Sequence, residues 1–274
     1  MVRYRLAALL ILTLMASATA YAAGSVVLPN PRLIACVADR APLWAEMPTG
    51  ADAIYPTELL IDIDAQAQSG LTALYDKSTS SESIRAAIEK RHPLAKLAVS
   101  PEPWTWRSES ERVAVSLSSL KDGTKQVIYL AFQGPYSKGS IIETCQAPPG
   151  NGNSVVLPTT RLIGCKTADC LFWFDGQAGS YPKQLVIGLA SGTPTGLVVS
   201  YSRPVSGHEL RAMLNARYGK AKHPAGTKAW QLEAEQLLVS VSSGLFKTQK
   251  VVYWSAGQRP MEPHMGYGRR NARK

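Results

Sequence analysis

The side chains that could carry chemistry are few. His92, His208, His223 and His264 are the four histidines of the 274-residue chain, and histidine is the usual general base near neutral pH. A serine hydrolase needs a nucleophile, a base and an orienting acid in mutual contact. His92 and His223 each precede a proline at a loop or helix end, His208 falls in the first turn of an expected helix, and His264 lies near the C-terminus. No G-x-S-x-G is present. The S-x-x-K spacing occurs at Ser118 with Lys121 and at Ser180 with Lys183, without the KTG or SDN that accompany it in penicillin-recognising enzymes. Asp62 and Asp64 alternate with Ile61 and Ile63 on one expected strand. They share a face and could serve as the paired carboxylates of a glycoside hydrolase; an open, solvated sheet face explains them equally. Three convergent metal ligands cannot be assembled. These residues predict a chain with no catalytic set, no metal site and no cofactor.

The four cysteines carry a different chemistry. Residues 1–22 read as an export signal: Arg3 and Arg5, an uncharged apolar run over 6–15, then two A-x-A cleavage patterns. An uncleaved anchor is the alternative. A periplasmic or extracellular protein oxidises its thiols, so Cys36, Cys145, Cys165 and Cys170 are expected in disulfides. Cys36–Cys145 with Cys165–Cys170 is the economical pairing, and closing the longer loop would contribute about 4–5 kcal/mol in the chain-entropy account. A Cys36–Cys165 bridge remains open.

The elements that must position these residues come as a duplication. Residues 25–36, SVVLPNPRLIAC, recur as 154–165, SVVLPTTRLIGC, with nine of twelve positions identical at an offset of 129. From Tyr55 to Ser116 the chain then matches Tyr181 to Ser242 without a gap, at an offset of 126. A period of this length marks a doubled domain, not a solenoid. The expected boundaries are 25–146 for the first copy, 147–153 for a Pro/Gly linker, 154–257 for the second copy and 258–274 for a disordered basic tail.

Each copy reads as β-β-α-β-β, with an extra strand near its start and a broken strand around the Trp. Glu58 and Gln184 open β-rich runs, and Gly70 and Gly196 mark the hairpin connections. Thr79 with Glu82 and Ser206 with Glu209 have capping-box spacing. Apolar residues follow at helical intervals: Ile84, Ala87 and Ile88, then Leu210, Met213 and Leu214. Arg91 and Arg217 fall at the last helical turn, where an apolar stem and an edge guanidinium suit them. Trp104 and Trp230 are expected as equivalent core anchors, each removing about 150–250 Å² from water. The fold class is α+β, an antiparallel sheet with one helix per copy on one face.

The copies disagree in charge and in one loop. Residues 25–145 hold 12 Lys and Arg against 14 Asp and Glu, whereas 154–274 hold 16 against 6. Arg269, Arg270, Arg273 and Lys274 sit in the tail. The divergent loop carries Trp44 in one copy and Phe172, Trp173 and Phe174 in the other. These aromatics suit partner contact, and core packing is the competing account. The expected function is an exported, non-enzymatic binding protein of inhibitor, immunity or envelope-assembly type. Its basic second copy would engage an anionic protein or envelope component, with no nucleic acid involved. The alternatives are a hydrolase drawing Asp62, Asp64, His208 or Ser180 into a site between the copies, and a structural protein adhering to anionic surfaces.

Overall fold

A computed structural model describes residues 24–34, 41–46, 52–63, 68–99, 101–131, 155–166, 170–175, 180, 182–201, 205–220, 229–232, 236–243 and 248–255. The expected export signal, Cys36, Cys145, the linker and the basic tail lie outside them. Among the described residues no helix is long and apolar enough to cross a membrane.

The fold is mostly antiparallel sheet with two helices. The N-terminal half runs through a 3₁₀ turn (Pro31–Ile34), β1 (Ala41–Pro42), β2 (Glu58–Ile63), β3 (Gln68–Tyr75), α1 (Ser81–Arg91), β4 (Lys96–Val99), β5 (Trp104–Ser108), β6 (Val113–Ser119) and β7 (Lys125–Ala131). The C-terminal half follows with β8 (Leu157–Pro158), β9 (Leu171–Phe172), β10 (Phe174–Asp175), β11 (Gln184–Ala190), β12 (Thr193–Tyr201), α2 (Gly207–Tyr218), β13 (Ala229–Leu232), β14 (Leu237–Ser243) and β15 (Gln249–Ser255). Eleven strands form one sheet in the order β13-β14-β15-β12-β11-β2-β3-β7-β6-β5-β4.

The two halves meet where β2 pairs with β11. Leu60 stands opposite Val186, Ile61 opposite Leu185 and Leu59 opposite Ile187. Leu60 and Val186 are themselves 126 apart, so the pairing is symmetric about a local twofold through that pair. The flanking hydrogen bonds obey the same symmetry: Ile63 N–H donates to Lys183 O and Leu189 N–H to Thr57 O, both at 2.8 Å. A second symmetric contact pairs Ala41 with Phe172 and Pro42 with Leu171. Buried residues from both halves form one continuous core.

Alternation assigns the faces. Leu59, Ile61, Leu71, Ala73, Tyr75, Val127 and Tyr129 of the first half pack toward the helices, as do Leu185, Ile187, Leu197, Val199, Tyr201, Val251 and Tyr253 of the second. Ile84 and Ile88 of α1, and Leu210 and Leu214 of α2, are the buried helix residues. The opening segments lie on this face too, each held by a buried phenol: Tyr75 Oη donates to Val27 O and Tyr201 Oη to Val156 O, both at 2.7 Å.

Local details differ from the sequence expectation in instructive places. The α2 box is present, with Ser206 N–H donating to Glu209 Oε2 and Glu209 N–H to Ser206 Oγ. For α1 the cap is Ser80, not Thr79: Ser83 N–H donates to Ser80 Oγ at 3.2 Å, while Thr79 is buried. Gly70 and Gly196 lie inside β3 and β12, not in turns. At Gly70 the sheet favours a small residue, since a Cβ there would stand 3.2 Å from Leu130 Cδ2. Trp230 pairs with Val239 as Trp106 pairs with Val115, and Tyr129 and Tyr253 stand across the next strand from these valines. The counterpart of Trp230 is therefore Trp106, and the offset falls to 124 after the helix. Trp106 and Trp230 are buried, whereas Trp104 is half-buried. Each helix is followed by the strand around the Trp and the closing strands, four strands in all in the first half and three in the second.

The β11–β12 turn is the two-residue Ser191-Gly192, with φ of 46° and 79°, the left-handed pair that suits a tight hairpin. It presses on the other half. A Cβ on Gly192 would lie 2.5 Å from the Tyr55 ring, whereas Gly164, also at φ +79°, has nothing within 4 Å. Gly164→Ala should therefore cost about 1–2 kcal/mol from backbone strain alone, and Gly192→Ala about 1–3 kcal/mol more from overpacking. Urea denaturation midpoints of the two variants check the difference.

Candidate functional site

The distribution of ion pairs separates the halves. Arg85–Glu89, Arg91–Glu111, His92–Glu111 and Arg107–Glu109 all lie in the first half. In the second half Glu209 is occupied by the α2 cap. Arg161, Lys166, Lys183, Arg211 and Lys220 are exposed there, and none has a carboxylate partner among the described residues. Arg161 and Lys166 flank the opening segment and Arg211 and Lys220 belong to α2 or its end, so these four sit on the helix layer. Lys250 on β15 is part-buried, and burial holds its ammonium below the ordinary range. Arg269, Arg270, Arg273 and Lys274 lie outside the described residues.

The aromatic loop divides between core and surface. Phe172 and Phe174, expected as partner contacts, are buried and meet edge-to-face with centroids 5.3 Å apart. Pairing with β1 and β8 draws both into the core. Trp44 is buried as well, edge-on to Tyr55 at 5.2 Å. Trp173 alone of the four is part-exposed; its carbonyl accepts from Thr159 N–H at 3.0 Å. Cys165 and Cys170 stand at disulfide distance, Cα atoms 5.5 Å apart, and Cys170 O accepts from Leu43 N–H at 2.9 Å. That bridge braces the segment carrying the second contact between halves.

Of the sequence candidates for catalysis, Asp62 and His208 are not brought together. Asp62 projects from the helix-free face, where Gln184 Nε2 donates to its Oδ1 at 2.8 Å. His208 is exposed in the first turn of α2, across the sheet from Asp62. Asp64, His223 and His264 lie outside the described residues. Among the described residues no three His, Cys, Asp or Glu side chains converge as metal ligands do.

One polar cluster escaped the sequence reading. His92 caps the end of α1 with its side chain fully buried, and its Nδ1 contacts Glu111 Oε2. Arg91 Nη1 donates to the other oxygen of Glu111 at 3.2 Å, and Glu111 N–H donates to Ser108 Oγ at 3.4 Å. Burial works to raise the Glu111 pKa, but the hydrogen bond and charge of His92, then Arg91, bring it below the usual carboxylate value. His92 Nε2 has no partner among the described residues. The His92 ring lies 6.0 Å from Tyr129, whose hydroxyl is pushed up by burial. At the offset of 126, Tyr218 occupies the place of His92, with the Arg217 guanidinium 5.3 Å from its ring. The cluster ties a helix end to the β5–β6 turn. Only the linear distance between His92 and Glu111 hid it: nothing in either local pattern announces the pair.

No family model, curated protein or solved structure matches this chain.

Because the folded pKa of Glu111 is lowered, its contribution is fully present above the unfolded carboxylate value of 4.5 and is lost as pH falls through the folded one. Glu111→Gln should cost about 1–3 kcal/mol at pH 7. The gap from the parent chain should close below the ordinary carboxylate range, as read by denaturant titrations at pH 7 and pH 3.

Proposed function

We propose that this chain is an exported, non-enzymatic binding protein made by tandem duplication of one α+β unit, and that its second copy engages an anionic partner. The symmetric β2–β11 and β1–β9 registers support the duplication. The observation that carries the binding assignment is the second half's set of exposed cations without carboxylate partners among the described residues, beside a first half that holds the Arg85–Glu89, Arg91–Glu111 and Arg107–Glu109 pairs. Four of those cations share the helix layer, which suits a broad anionic surface better than a small ligand held in a cleft. A paired scaffold with one neutral and one basic unit leaves the first copy to support and the second to contact. The partner's chemistry is an acidic protein or an anionic envelope component, met outside the cytoplasm by a mature chain beginning after residue 22.

Exposed charge pairs are screened over about 10 Å at 0.1 M salt and about 3 Å at 1 M. Retention of an envelope-fraction partner on immobilised mature chain should therefore be strong at low salt and fall sharply at 1 M. The triple variant Arg161→Glu, Arg211→Glu, Lys220→Glu should lose it at both. Salt-independent retention, or a triple variant that binds like the parent, contradicts the assignment. Retention of protein-free anionic vesicles alone would point to lipid adhesion instead.

A further inference from the structure

One ring in the second half is larger than its place in the fold requires. The symmetric β1–β9 pairing relates Trp173 to Leu43. Leu43 is fully buried, whereas the indole at the same place stays part-exposed. Trp173 also closes a loop, because its carbonyl accepts from Thr159 N–H at 3.0 Å. Thr159 is buried, and its Oγ1 accepts from Arg161 N–H at 3.3 Å. Within the loop the Cys165–Cys170 bridge holds Lys166, whose carbonyl lies 2.9 Å from Cys170 Sγ. Arg161 and Lys166 are both exposed, so two cations and one part-exposed indole are fixed on one braced loop. Asp169 lies outside the described residues. The first half keeps a cation here, Arg32, whose N–H donates to Asn30 Oδ1 at 3.0 Å, but it has Leu43 in place of the ring.

We propose that this loop binds an anionic polysaccharide. The indole of Trp173 lies against the C–H face of a pyranose ring, to which its negative π-face is complementary. Arg161 and Lys166 meet carboxylates of the same glycan, the guanidinium in the two-pronged geometry that carboxylates favour. The inference rests on the second half being the anion-binding copy, and it names the class of partner.

The distribution of apolar surface separates a glycan from an acidic protein. A stable protein–protein interface takes roughly 800 Å² a side, around an apolar core. Among the described residues the exposed large hydrophobics are Leu94, Leu97, Val99 and Leu130, and all four belong to the first half. The second half therefore offers cations and a single ring, without the apolar surround that a protein would bury. One indole matches one sugar ring. The further cations of the helix layer, Arg211 and Lys220, match a polymer that repeats its charge along its length. Charge alone would bind any polyanion, and the ring adds a preference for sugar.

Two polyanions test this at low salt: polygalacturonate, and polyglutamate as a chain of equal charge without sugar rings. The mature chain should bind polygalacturonate about tenfold more tightly, the size of one good aromatic contact. Trp173→Ala should remove that preference and leave polyglutamate binding as in the parent. Equal affinity for the two polymers, or a preference that survives Trp173→Ala, overturns the glycan site and leaves the charge-based reading standing. Binding of neither polymer contradicts both. Should Trp173→Ala fail to fold, oxidation of the parent chain by N-bromosuccinimide decides the matter, read at Trp173 by peptide mapping. Polygalacturonate should slow that oxidation several-fold and polyglutamate should not; equal slowing by both, or none by either, removes the site.

Discussion

Everything in this molecule depends on one strand pairing, β2 against β11. Each half-sheet would otherwise end there in an open row of N–H and C=O groups, with Leu59 and Ile61 or Leu185 and Ile187 at the margin of its core. Edge strands of this kind pair with whatever strand they meet. Here each meets its own counterpart, in the one register that sets Leu60 against Val186. The contact is isologous in the manner of a C₂ dimer, within a single chain. Its symmetry keeps both sets of core residues on the helix side, where a slip of one residue would turn one set outward.

The remaining long-range contacts reinforce that junction. The phenols of Tyr75 and Tyr201 pin the opening segments to the strands next to it. Those segments in turn supply β1 and β9, which pair across the same axis. The Ser191-Gly192 turn packs under Tyr55 from the opposite half, and the Cys165–Cys170 bridge supports the carbonyl that receives Leu43. The outer end of the sheet is managed differently. β4 is short and carries a bulge between Leu97 and Val99, a device that discourages further pairing. The halves are thus alike where they join and unlike in the charge of their surfaces.

Much of this was legible in the residues. Ser206 with Glu209 marked the second helix, and the alternation of Ile61 and Ile63 with Asp62 separated the two sheet faces. Three kinds of information were not. Identity at the tryptophans favoured aligning Trp104 with Trp230, because an ungapped match cannot see that a two-residue difference after the helix leaves the strand register intact. Gly70 and Gly196 looked like turn residues because the requirement they meet comes from neighbouring strands. Phe172 and Phe174 looked available because their burial follows from pairing with β1 and β8, partners distant in sequence or reached only by folding. The His92–Glu111 contact failed to show for the same reason, spanning 19 residues between a helix end and a strand turn.

A crosslink at the axis tests the central claim most directly. Leu60 and Val186 lie between the hydrogen-bonded pairs of the ladder, the position at which antiparallel side chains approach most closely, with Cβ atoms about 4.5–5.5 Å apart. The double variant Leu60→Cys, Val186→Cys should oxidise to an intrachain bridge, found by peptide mapping of monomer under non-reducing conditions. Two thiols that stay free under oxidation, or that bridge only between chains, would contradict the joined sheet.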